Sequence, residues 1–179
     1  MGGASNGIHT LSLVVRDKPG VLVRIALVFA RRGYNIESCA VSPAARAGFA
    51  RMTITSRGHT ETREQINKQL AKLIDVVYVT DHRDDQPLQV EIALVKLRVN
   101  ATTRADVLQV AEHYKANVIH FSADTLILRV HGTSDKLNNF IGLIEPYQVE
   151  ELVRSGPIVM SRGPSQFAQL LGEDDRFPD

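Results

Sequence analysis

From residue 8 to residue 16 apolar and polar positions alternate. Leu11, Leu13 and Val15 fall on one side of an extended segment and Thr10, Ser12 and Val14 on the other, which is the two-residue period of a strand. The period then lengthens: Val21, Leu22, Ile25, Ala26, Val28 and Phe29 form the stripe of an amphipathic helix that stops at Arg31-Arg32-Gly33. Two strands are expected at about 34–42 and 48–56, joined by the turn region Pro43-Ala44-Ala45-Arg46-Ala47-Gly48. Thr60 or Thr62 is placed to cap a second helix with Ile66, Leu70 and Leu73 as its inner face, and Val76, Val77 and Val79 mark a closing strand. The order βαββαβ is that of the split-βαβ, or ferredoxin-like, unit.

After a polar stretch ending in proline, residues 83–87, the pattern recurs. A strand over 89–99 carries Val90, Ile92 and Leu94 on one face and Ala93, Val95 and Leu97 on the other. A helix through Val107, Val110, Ala111 and Tyr114 follows, then strands at about 117–122 and 125–131 around Ala123-Asp124. A helix with Leu137, Phe140, Ile141 and Ile144 and a strand through Val149 and Leu152 complete the copy. The repeat has a period of roughly 70 to 80 residues. The chain is therefore expected to be α+β, with two tandem ferredoxin-like βαββαβ domains at 8–82 and 88–163. Residues 83–87 form the linker and 164–179 a loose acidic tail. Each copy is small for a stable core, so docking between copies or chains is expected.

The copies differ in the loop between first strand and first helix. It is Asp17-Lys18-Pro19-Gly20 in the first copy and Asn100-Ala101-Thr102-Thr103-Arg104 in the second, which lacks a Pro-Gly pair. A Pro-Gly loop at a helix start leaves backbone N–H groups free to hold a carboxylate. Asp17 and Asn35 are read as neighbouring strand ends able to bind an ammonium group. Together these signals fit a site for a free amino acid, the equipment of a sensor more than of a catalyst.

Composition narrows the function further. Among 179 residues the formal net charge is +1, so bulk electrostatics gives no support to a nucleic-acid partner. Cys39 is the only cysteine, which excludes an internal disulfide or a cysteine metal cage, and it is expected to pack as a small hydrophobe. No apolar run reaches the length of a membrane span, and the start, Met1 to Gly7, is small and polar without the marks of a targeting signal. His9, His59, His82, His113, His120 and His131 are scattered, with no nucleophile elbow, phosphate loop or dinucleotide fingerprint among the intervening residues. Glu150-Glu151 and Asp174-Asp175 are adjacent pairs expected to be solvated charges, because neighbouring strand residues face opposite sides. Arg154 and Arg162 read equally well as interface residues or as ordinary surface charges.

Several strings match a known family. They are Pro19-Gly20-Val21-Leu22, Arg32-Gly33-Tyr34-Asn35-Ile36-Glu37-Ser38, Arg51-Met52-Thr53-Ile54, the run from Lys68 to Val76, Leu94-Val95-Lys96, the run from Glu151 to Gly156, and Ser161-Arg162-Gly163. Over roughly 8–163 the chain resembles the small regulatory subunits of acetolactate synthase (acetohydroxyacid synthase), whose amino-terminal half is an ACT domain. The resemblance implies a non-catalytic, cytoplasmic chain that activates a separate large catalytic subunit and confers feedback inhibition by valine, leucine or isoleucine. The holoenzyme is a transferase at the head of branched-chain amino acid biosynthesis. Its thiamine diphosphate, Mg²⁺ and FAD belong to that partner, and this chain holds no cofactor or metal.

The resemblance also implies a homodimer formed through the ACT domains with valine at the shared interface. Gly20, Val21 and Leu22 would meet its carboxylate, Asp17 and the neighbouring chain's Asn35 its amino group, and Ile36 and Leu22 its side chain, with Lys18 and Pro19 also among the effector-binding residues. The sequence departs from the family at Arg16-Asp17, where many relatives carry Glu-Asn, and around Glu145-Pro146-Tyr147-Gln148. The competing reading is a stand-alone amino-acid-sensing ACT regulator; an enzyme in its own right ranks third.

Overall fold

The computed structural model describes residues 7–58, 60–82 and 86–163. The expectations placed on the first six residues, on His59, on residues 83–85 of the linker and on the tail from 164 to 179 lie outside the described residues. The chain divides into two compact units, the second spanning Gln89–Ile158; Val159 to Gly163 group with the first.

In the first unit the alternating and helical periods become β1 (Gly7–Arg16), α1 (Val21–Ala30), β2 (Asn35–Pro43), β3 (Phe49–Gly58), α2 (Thr60–Leu70) and β4 (Val76–Asp81). The strands form an antiparallel sheet in the order β2-β3-β1-β4. Both helices lie on the face to which Leu11, Leu13 and Val15 point. There α1 contributes Val21, Ile25 and Phe29, and α2 contributes Ile66 and Leu70. Burying each such side chain contributes about 2 kcal/mol, which is why the apolar stripe, and not helix propensity, holds α1 in place. The other face is buried too, but it is lined with small polar groups. Ser12, Thr53 and Thr55 are each under 5% exposed, and the Ser38 and Thr55 hydroxyls lie 2.6 Å apart.

Two local expectations are corrected. Helix α2 begins at Thr60, so Thr60 and Thr62 both lie within its first turn and neither stands at the cap position before it. Cys39 is exposed and not packed. β2 is an edge strand, and Asn35, Glu37, Cys39 and Val41 are exposed along it.

The second unit repeats the arrangement with β5 (Leu88–Arg98), α3 (Ala101–His113), β6 (Asn117–Phe121), β7 (Thr125–Gly132), α4 (Ser134–Ile144) and β8 (Gln148–Arg154). Its strand order, β6-β7-β5-β8, is the order of the first sheet, and a short β9 (Ile158–Met160) follows β8 in the chain. Ala93, Val95 and Leu97 are fully buried under Val107, Leu137, Phe140 and Ile144, whereas Val90, Ile92 and Leu94 on the opposite face are exposed.

Candidate functional site

The loop from Asp17 to Gly20 leaves the end of β1 and enters α1. Asp17, Lys18, Pro19 and Gly20 are all exposed, while Val21 turns into the core and Leu22 stands about half exposed beside the loop. Gly20 adopts the left-handed conformation, with φ of +83°, at the position that caps the helix. A side chain at that φ would be strained, and a glycine offers no side chain to cap the helix. The first N–H groups of α1 therefore have no cap from Gly20 and no helical carbonyl ahead of them. Val21 is the exception, its N–H reaching back to the Lys18 carbonyl at 3.4 Å.

The corresponding helix start in the second unit is closed by its own sequence. Asn100 accepts hydrogen bonds on Oδ1 from the N–H groups of Thr102 and Thr103, both at 2.9 Å, and Thr103 Oγ1 accepts from the Asn100 N–H at 3.0 Å. This reciprocal capping box satisfies the donors that α1 leaves open. One fold, used twice, thus has one helix start capped by its own side chain and one that is not.

Three ties from outside set the loop's shape. The Asp17 N–H donates to the Gly48 carbonyl in the β2–β3 turn, and the Arg16 N–H donates to the Asp75 carbonyl just before β4, each at 2.8 Å. One helical turn beyond Gly20, Arg24 Nη2 donates to Asp75 Oδ2 at 2.5 Å. Neither Arg24 nor Asp75 was singled out from the sequence as a site residue, although Asp75 lies in the matching run from Lys68 to Val76. An arginine one turn after a candidate loop is a weak signal, and its partner lies 51 residues away.

Asn35 and Ile36 open β2. Asn35 is exposed and pairs with Arg57, whereas Arg16, the last residue before the loop, pairs with Phe49 at the other end of β3. Asp17 and Asn35 therefore sit at opposite ends of the same sheet, about 26 Å apart at the ordinary rise per strand residue. The expectation that they neighbour each other is corrected for a single chain. A crossover helix returns the chain to the opposite end of the sheet, so β1 ends where β2 does not begin.

Elsewhere the polar groups are engaged structurally. His9 Nε2 lies 2.8 Å from the Gly58 carbonyl and His82 Nε2 lies 2.8 Å from Ser12 Oγ. His120 stands opposite Ile127 and His131 opposite Ile92. Among the described residues no three His, Cys, Asp or Glu side chains converge as metal ligands would. Glu150 is paired with Arg98 at 2.6 Å and is not simply solvated. Arg162 donates to the Gln86 carbonyl at 2.9 Å, and Arg154 holds Glu91 at two points. Partial shielding by its neighbours pushes the Cys39 thiol above the ordinary cysteine range, the wrong direction for a reactive thiolate.

Comparison with known proteins separates the possible readings. The family described as "AHAS small subunit-like ACT domain" matches residues 11–78, and "Small subunit of acetolactate synthase" matches 90–163. The chain is 41% identical over 162 residues to the acetolactate synthase small subunit of Mycolicibacterium smegmatis, an alignment covering 89% of this chain and 95% of that one. It is 40% identical over 156 residues to a probable acetolactate synthase small subunit of Methanothermobacter thermautotrophicus, covering 87% and 93%. The chain belongs to the acetolactate synthase small-subunit family. The crystal structure of the small subunit from Thermotoga maritima superposes with a TM-score of 0.80 at 35% identity, covering 89% of this chain and 99% of that one. The ACT match contains the 17–22 loop, Asn35 and Ile36, and both residues that brace the loop, Arg24 and Asp75. Among the described residues no helix is long and apolar enough to cross a membrane.

Proposed function

We propose that this chain is the regulatory subunit of acetolactate synthase: it binds the catalytic subunit, raises its activity, and makes that activity subject to inhibition by valine or a related branched-chain amino acid. The observation that carries the reading is the uncapped start of α1 at Gly20, set against the capped start of α3 in an otherwise repeated fold. An amino acid offers what that opening lacks, a carboxylate for free N–H groups. Its ammonium group fits the amide oxygen of Asn35 and the carboxylate of Asp17, contacts strengthened by charge.

The separation of Asp17 from Asn35 favours a site shared between two chains. A second copy docked antiparallel along the free edge of β2 carries its Asn35 to the Pro43 end of the first copy, the end at which the 17–20 loop lies. The surface around that edge is suited to burial: Leu22, Val23 and Leu27 on α1 and Val41 on β2 are all exposed. Ile36 and Leu22 then line the effector's side chain. A ligand bridging two chains biases their relative geometry, and the inhibition it produces equals its differential affinity for the two arrangements.

In this reading thiamine diphosphate, Mg²⁺ and FAD reside in the catalytic subunit, and the chain works in the cytoplasm without chemistry of its own. The test is acetolactate formation by the catalytic subunit alone, with this chain, and with this chain plus L-valine. Activity is expected to rise on addition of the chain and to fall with L-valine. Acetolactate formed by this chain alone, or no response to it, would overturn the proposal.

A further inference from the structure

The 17–20 loop is not fixed from within. Gly20 provides no side-chain cap, and the bonds inside the segment, Lys18 N–H to the Arg16 carbonyl at 3.0 Å and Val21 N–H to the Lys18 carbonyl at 3.4 Å, are short-range and weakly restraining. Of the three outside ties, one goes to Gly48 and two go to a single residue, Asp75. The Asp75 main-chain carbonyl holds the strand side of the loop through the Arg16 N–H. Its carboxylate holds the helix side through Arg24. Asp75 is thus attached to both flanks of a four-residue loop that it does not adjoin in sequence.

The environment of the pair makes it more than a surface contact. The Asp75 side chain is 12% exposed and that of Arg24 49% exposed, so the carboxylate is largely withdrawn from water while the guanidinium spans from it to solvent. The other terminal nitrogen, Arg24 Nη1, lies over Gly20, 3.8 Å from where a Cβ on that glycine would stand. An arginine held by one nitrogen at Asp75 and resting against the loop's last residue fixes the angle at which the free N–H groups of α1 emerge. Without the anchor, Arg24 is a long side chain with several rotamers and the loop keeps only its main-chain ties, to the Gly48 and Asp75 carbonyls.

We infer that Asp75 is a positioning residue for the effector site: it touches no ligand and acts through Arg24 and the Arg16 N–H to hold the 17–20 loop in its receptive shape. This role rests on the effector reading above and adds to it a residue outside the loop. The turn between α2 and β4, in which Asp75 lies, then shares its geometry with the loop, so a change at either is felt at the other.

The test is a double-mutant cycle on L-valine affinity, measured by calorimetry on the full chain. Asp75→Asn keeps the carbonyl and the shape but removes the charge, and Arg24→Gln removes the cation at a half-exposed position that tolerates it. Each single change is expected to weaken L-valine binding roughly fivefold to thirtyfold, and the double variant to bind no worse than either, because the two act as one unit. Arg24→Lys, which retains a cation, is expected to recover part of the loss, which a packing role for Arg24 would not produce. Wild-type affinity in Arg24→Gln, or full additivity of the two changes, would overturn the inference while leaving the site itself standing. No uptake of L-valine by the unaltered chain would remove the effector reading and this role together.

Discussion

Glu91 and Arg154 form a two-point ion pair in the second unit: Nε donates to Oε1 at 2.7 Å and Nη2 to Oε2 at 2.9 Å. Glu91 is 3% exposed, and Ser134 Oγ adds a third hydrogen bond at 2.8 Å to the same carboxylate. Arg154 also reaches Asn138, so β5, β8 and α4 are joined at one buried charge. Arg154→Ala leaves that charge without its cation and is expected to destabilise the protein by about 3 kcal/mol. Urea denaturation of the variant against the parent chain measures it.

The same pair makes stability depend on pH in a defined direction. Burial pushes the Glu91 carboxyl up, but hydrogen bonds from Arg154 and Ser134 and the Arg154 charge outweigh it and hold the group below its ordinary value of 4.5. The unfolded chain therefore binds this proton more readily than the folded one. The stabilisation is fully present above pH 4.5 and is lost as the pH falls through the lowered folded value. Glu91→Gln is expected to be less stable at neutral pH and to show a shallower decline in acid; an unchanged acid slope would refute this.

Gly58 ends β3 directly beneath the Tyr34 ring, and a Cβ there would overlap it. Tyr34 packs on the core just before Asn35, so the overlap has to be relieved by moving the residues that open β2. Gly58→Ala is expected to cost about 2 kcal/mol, and combining it with Tyr34→Ala to cost less than the sum of the two single changes. Thermal melting of the three variants decides the point.

Asp17 and Asn35, at opposite ends of one sheet, allow a complementation test. If each effector site takes its loop from one chain and its asparagine from the other, Gly20→Asp and Asn35→Ala each destroy both sites of a homodimer. Unfolding and refolding the two variants together yields heterodimers in which one site is fully wild type. Valine binding is expected to return to about a quarter of the wild-type stoichiometry in an equal mixture, as two-fold symmetry requires. A mixture as inert as its components would place the site within one chain.

The elements were readable because each carries its own period. Leu11, Leu13 and Val15 alternate, Val21, Ile25 and Phe29 recur at helical spacing, and the same two signatures return at Ala93-Val95-Leu97 and Leu137-Phe140-Ile144. The chemical distinction between the two loops was legible as well, since a Pro-Gly loop and an Asn-led loop treat a helix start differently. What periodicity does not carry is the order of strands in the sheet. The exposure of Cys39 follows from β2 lying at an edge, and the distance from Asp17 to Asn35 follows from which end of β3 each one meets. Pairings across the chain are equally silent in sequence. Glu91 sits between Val90 and Ile92, and only Arg154, 63 residues later, explains why a carboxylate occupies a buried position there.

On the effector reading, the Asn100 cap gives the second unit a further use, as a mould of what the helix start of the first unit would receive. Counting from the two cap residues, Leu22 and Val23 stand where Thr102 and Thr103 stand. The Asn100 amide oxygen is then the counterpart of a ligand oxygen resting on the N–H groups of Leu22 and Val23, two residues further along the helix than Gly20 and Val21. The protein carries, in a single polypeptide, both an uncapped helix start and a self-capped one to compare it with.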